Sequence, residues 1–116
     1  MGSASQVSVR ELQQILATQP PESVQLIDVR EPGEIELANL AHLGFVNYPL
    51  SHYEQWSRRL LTDLDLAKPT YVLCHHGLRS AQMAAWLRSQ GFTQVINVSG
   101  GIDAWSRAVD PEIPLY

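Results

Sequence analysis

The stretch YVLCHHGLRSAQMAAW, residues 71–86, decides how the chain is read. An apolar, β-prone run reaches Cys74, and a helix-forming segment opens at Ser80. Between them lie His75, His76, Gly77, Leu78 and Arg79. The pattern predicts a strand over 70–75, a tight loop, and a helix over 80–91 in which Met83, Trp86 and Leu87 cluster and Gly91 is the stop.

Working outward, strand-like and helix-like segments alternate. Upstream, SVRELQQILATQPPE (8–22) sets Ser8 three residues before Glu11, a capping-box spacing, and Pro20–Pro21 stop the helix. VQLIDVR (24–30) is a short β-rich run closed by a Pro32–Gly33 turn. Residues 34–41 read as a short helix and 44–49 as a short strand. Ser51 and Glu54 repeat the capping spacing before an amphipathic helix carrying Tyr53, Trp56 and Leu60. Downstream, TQVINV (93–98) is the last strand, Ser99-Gly100-Gly101 turns into a helix over 102–108, and the tail VDPEIPLY is irregular.

Strands alternating with helices predict an α/β domain with a mainly parallel sheet, and the apolar runs at 24–30 and 71–74 predict helices on both faces. Sites in such folds form where strand carboxyl ends meet the loops that follow. Cys74 stands at one such end, Asp28 and Arg30 at another. At 116 residues the expectation is one domain over 7–116, with 1–6 a flexible end.

Composition narrows the function classes. With 45% apolar and 17% charged residues the chain resembles an ordinary soluble globular protein. No apolar run approaches the about 20 residues that span a bilayer, and no charged-then-apolar leader opens the sequence, so no membrane partner and a cytoplasmic setting are expected. Net charge is −4, and the cations are Lys68 and seven scattered arginines, which offers nucleic acid no basic stripe. The one cysteine, Cys74, can form no intramolecular disulfide and no multi-thiolate zinc site. It is either an inert buried residue or a reactive thiol.

The loop argues for reactivity. Backbone N–H groups at a helix start, with the helix dipole, attract anions, and a curled loop can cup one. Gly77 permits the curvature, and Arg79 adds a permanent positive charge. A cysteine facing such a cradle is favoured as thiolate, the nucleophilic form. His75 and His76 are either exposed loop residues or contributors of partial charge. As consecutive residues beside Cys74 they make an awkward metal set, so no metal is expected.

On these residues the chain resembles the rhodanese family of sulfurtransferases. LIDVRE (26–31) resembles the family's first strand signature, and CHHGLRS (74–80) resembles its active-site loop, Cys-x-x-Gly-x-Arg-Ser. VSGGIDAW (98–105) resembles its closing motif and DPEIPLY its tail, in the family's order and spacing. The resemblance implies a three-layer domain around a parallel sheet of about five strands. It implies that Cys74 accepts a sulfane sulfur from an anionic donor such as thiosulfate, forming a persulfide. A thiophilic acceptor (cyanide, a small thiol or a protein thiol) then takes the sulfur, with no metal or organic cofactor. His75, His76, Gly77, Leu78, Arg79 and Ser80 become the substrate-binding loop. Asp28 and Arg30 become supporting residues, Gly100 and Gly101 allow close packing by the loop, and Trp86 and Trp105 belong to the core. Ala38-Asn39-Leu40, where the family usually has Gly-His-Ile, departs from the pattern and bears on the cleft edge.

Two other functions stay open. A phosphatase or arsenate reductase could use the same Cys–Arg loop, but such loops place five residues between Cys and Arg and usually a His before the Cys. Here four intervene and Leu73 precedes. A non-catalytic rhodanese-like interaction module is the other, and the retained Cys74, Gly77 and Arg79 argue against it.

Overall fold

Five short strands, all parallel, form the centre of the computed structural model, which describes residues 6–116. In chain order the elements are β1 (Gln6–Val7), α1 (Val9–Thr18), β2 (Gln25–Asp28), α2 (Pro32–Leu37), β3 (Val46–Asn47), α3 (Tyr53–Asp63), β4 (Thr70–Leu73), α4 (Leu78–Ser89), β5 (Val95–Val98) and α5 (Gly101–Ala108). The strands lie side by side in the order β1-β5-β4-β2-β3. Asp28 is level with Leu73 across β2 and β4, so Val29 and Cys74 leave the sheet at the same edge.

Successive strand residues face opposite sides, and both sides are covered. Leu26, Tyr71, Leu73, Ile96 and Val98 pack with Leu12 of α1 and with Ile102 and Trp105 of α5. Ile27, Val72, Cys74 and Val95 pack with Trp56 and Leu60 of α3 and with Met83 and Leu87 of α4. Every residue of β4 and of β5 is therefore buried, as a doubly covered parallel sheet requires. Trp105 lies in the first core and Trp86 packs against the second. Among the described residues no helix is long and apolar enough to cross a membrane.

Local boundaries differ from the sequence reading for identifiable reasons. Gln6, assigned to a flexible end, pairs with Asn97 in β1; residues 1–5 of that assignment lie outside the described residues. Pro32–Gly33 is the first turn of α2 rather than a separate turn, because proline's fixed φ suits the opening helical position. Glu31 and Glu34 form the reciprocal cap there, and the chain is extended again by Ala38. The Ser8–Glu11 box forms, with Ser8 Oγ accepting from Glu11 N at 3.1 Å. The Ser51–Glu54 box does not: Ser51 Oγ is taken by Glu31, and α3 starts after His52. The strand read over 44–49 shortens to Val46–Asn47.

Candidate active site

The sulfur site is built by β4, α4 and the starts of the elements beside them. Cys74 is the first residue beyond β4 and is almost fully buried, at 1% exposure. The helix opens two residues earlier than Ser80, at Leu78, because Gly77 takes φ 106° and turns the chain directly into it. The loop proper is thus only Cys74 to Gly77. Leu78, Arg79 and Ser80 form the first turn of α4, whose N–H groups have no partner within the helix. Two donors face the sulfur: the Gly77 N–H at 3.0 Å and the Ser80 hydroxyl at 3.2 Å.

Behind them stands Asn97, a residue the sequence reading passed over. Its Nδ2 donates to the Gly77 carbonyl at 3.1 Å, and its Oδ1 is hydrogen-bonded to Ser80 Oγ. The hydroxyl has one proton. With a thiolate it donates to sulfur; with a thiol, S–H donates to Oγ and the hydroxyl turns to Asn97. Ser80 can serve one of these two acceptors at a time, so its donation to sulfur is made at the expense of Asn97 Oδ1. Its signal was available: a polar residue in the middle of an otherwise apolar, wholly buried strand.

The other side of the loop is fastened by α5. Ile102 N donates to the Cys74 carbonyl at 2.9 Å and Asp103 N to the His75 carbonyl at 3.1 Å. This approach needs Gly101, as the closing motif suggested. A β-carbon there would lie 2.3 Å from the Cys74 carbonyl oxygen and 2.4 Å from that of His75, and its φ is +62°.

A cavity of about 190 Å³ is lined by Cys74, His75, His76, Leu78 and Arg79, so four residues of the sequence-read loop meet there with the cysteine. Gly77 and Ser80 are buried beneath. Arg79, read from the sequence as adding a permanent positive charge, is held by Glu34 of α2. Its Nη1 and Nη2 reach Glu34 Oε1 and Oε2 at 2.6 and 2.9 Å. This fork-to-fork pair raises the Arg79 pKa, with burial opposing. It holds the Glu34 carboxyl at about 2, against the desolvation that pushes the other way and with Tyr116 helping.

Tyr116 ties the tail into this cluster. Its hydroxyl donates to Glu34 Oε2 at 2.8 Å and accepts from Arg30 Nη1 at 2.9 Å, and its ring stacks on His75 at 3.9 Å, 7° from parallel. Burial is the main reason its phenol is pushed up to about 12, with Arg30 opposing and Glu34 adding. The His75 ring also lies against His76, with centroids 3.9 Å apart and the planes tilted by 30°. Burial, with His76 beside it, lowers the His75 pKa and so disfavours the charged ring. His75 Nε2 is buried without a hydrogen-bond partner.

Among the described residues, Asp28 and Arg30 make no hydrogen bond to the sulfur or to the loop and do not line the cavity. Arg30 is fully buried, with Nη2 2.8 Å from Asp28 Oδ2 and 2.9 Å from the Ala38 carbonyl. Burial works against its charge, but the Asp28 carboxylate outweighs it and the pKa rises. A chain of hydrogen bonds leads from Arg30 to Tyr116, to Glu34 and on to Arg79. Asn39, in the segment departing from the family pattern, donates to the Ile35 carbonyl and accepts from Ala41 N. It shapes the end of α2, away from the sulfur. The ligand atoms of His75, His76 and Asp103 lie within 4.8 Å of one another. Among the described residues they are the group able to approach a metal, yet Asp103 Oδ2 is engaged by Arg107 Nε at 3.0 Å.

Comparison with known proteins agrees with this geometry. The model of the rhodanese-like domain matches residues 8–108. The rhodanese-like/PpiC domain-containing protein 12 of Arabidopsis thaliana, a chloroplastic protein, is 50% identical over 95 residues, covering 82% of this chain and 31% of that protein. The thiosulfate sulfurtransferase GlpE of Vibrio cholerae is 34% identical over 83 residues, covering 72% of this chain and 73% of GlpE. The human single-domain sulfurtransferase TSTD1 superposes with a TM-score of 0.72 at 26% identity, over 91% of this chain and 98% of that one. The chain spans about a third of the Arabidopsis relative's length.

Proposed function

Because the chain belongs to the rhodanese-like domain family, we propose that it is a sulfurtransferase that carries a sulfane sulfur as a persulfide on Cys74. The observation that supports this reading most is the pair of donors, Gly77 N–H and Ser80 Oγ, converging on a single sulfur at the floor of a small cavity. They stabilise the thiolate before reaction. Cys74 Sγ attacks the outer sulfur of a donor; with thiosulfate, the S–S bond breaks and sulfite leaves with the electron pair. The persulfide then lies in the cavity beside the first-turn N–H groups of α4 until cyanide, a small thiol or a protein thiol takes the outer sulfur. The cycle calls on no metal or organic cofactor. A cytoplasmic setting is part of the proposal and fits a lone unpaired thiol.

The test is incubation with thiosulfate followed by intact mass and by thiocyanate release on adding cyanide. One added sulfur, absent from Cys74→Ser, is the expected result. An unchanged mass with hydrolysis of an aryl phosphate would instead make the protein a phosphatase, and neither reaction would leave an interaction module.

A further inference from the structure

The cavity carries one permanent cation among its lining residues, Arg79, and both ends of its fork are occupied by Glu34. Other cations nearby are also engaged: Arg30 by Asp28, and Arg107 by Asp103. Burial disfavours a charge on His75, and the chain as a whole carries −4. What remains for an incoming anion is the exposed His76 and the partial charge of the α4 N-terminus. Glu34 is itself steadied, since the Tyr116 hydroxyl donates to it while accepting from Arg30.

We infer that Glu34, steadied by Tyr116, selects the sulfur donor by occupying the Arg79 fork, so that the site favours an organic persulfide, at most singly charged, over a small dianion such as thiosulfate. The inference rests on the sulfur-transfer reading above. A dianion must lie beside the Glu34 carboxylate or displace it, and either costs Coulomb energy in a half-buried place. A persulfide carries at most one charge and reacts at its outer sulfur as the protonated R–S–SH, which asks for neither. Leu78, 80% exposed at the cavity rim, offers its R group apolar contact. In this step Cys74 Sγ bonds to the donor's outer sulfur and the donor's S–S bond breaks. The electron pair leaves on the inner sulfur as R–S⁻, and the proton of the outer sulfur stays on the new persulfide or passes to water. Glu34 is therefore a positioning residue, acting through Arg79.

The experiment compares kcat/KM for loading Cys74 from thiosulfate, from the persulfide of 2-mercaptoethanol, and from the persulfide of a short uncharged cysteine peptide. In Glu34→Gln, kcat/KM for thiosulfate rises about tenfold relative to either persulfide, mainly through a lower KM, since an anion is removed beside a freed guanidinium. Tyr116→Phe shifts the ratio the same way by less. If the peptide is the better persulfide the natural donor is protein-borne; if the small one is, it is a metabolite; both orders agree with the inference. A donor ratio unchanged in both variants, with unfolding curves showing folded protein, overturns it. Failure of every donor to load wild-type Cys74 overturns the sulfur-transfer reading itself, a different result.

Discussion

Gly101 sits against Cys74 so tightly that a single methyl group would fall 2.3 Å from the cysteine's carbonyl oxygen. The obstacle is backbone on both counts, Cys74 and His75, and backbone cannot rotate away. Gly101→Ala must move α5 away from the loop, breaking the Ile102 and Asp103 hydrogen bonds, and must also hold a side chain at positive φ. We expect a stability loss of about 2–4 kcal/mol in urea unfolding and loss of persulfide formation. A variant with the wild-type midpoint would show that the loop and α5 are not in this contact.

Ser80→Ala removes one of the two donors to sulfur and leaves Asn97 Oδ1 buried without its partner. Persulfide loading slows by about tenfold, below the effect of a full oxyanion-hole donor because Gly77 N–H remains. Stability falls by about 1–3 kcal/mol, the cost of an unpaired buried acceptor. The Ser80→Ala/Asn97→Leu double variant loses less than the sum of the single ones, which a double-mutant cycle reads directly.

Arg30→Met keeps the volume of a fully buried side chain but strands the Asp28 carboxylate. Breaking one partner of such a pair costs about 3–5 kcal/mol. Replacing both, as in Asp28→Leu/Arg30→Met, restores much of that in the unfolding midpoint. Recovery of stability without recovery of activity would place the relay through Tyr116 in the chemistry rather than in the fold.

The Glu34 clamp sets an acid limit. Its folded-state pKa, about 2, lies below the ordinary value of 4.5. The unfolded chain therefore takes up the proton first, and the clamp's stabilisation is complete above about pH 4.5 and is lost as pH falls towards 2. Urea midpoints measured across that window fall more steeply for wild type than for Glu34→Gln. Parallel curves would mean that Glu34 is not held by Arg79 in solution.

The elements read from local pattern were those whose signal is local. A strand, a cysteine, a glycine and a helix start lie within ten residues, and a capping box needs four. What the sequence did not disclose is carried by distance. Glu34 meets Arg79 across 45 positions and Tyr116 across 82. Nothing in the spacing of EPGEIEL says that its second glutamate will meet the loop arginine. Ser51 misled because it lies inside a single helical turn over Leu50–His52, which puts the cap of α3 at His52 and leaves the Ser51 hydroxyl to donate to the remote Glu31. Gln6–Val7 is too short to show any periodicity, and pairs only because β5 offers an open edge.

The fastening of the loop carbonyls to Ile102 and Asp103 gives the site an order of assembly. Cys74 leaves the ribosome well before Asn97 and α5, so for that interval the thiol exists without its clasp. Chain growth thus couples the nucleophile's maturation to completion of the fold: an alkylating probe applied during synthesis would meet a cysteine still in the open, and after α5 docks it would meet one shielded at the floor of a finished cradle.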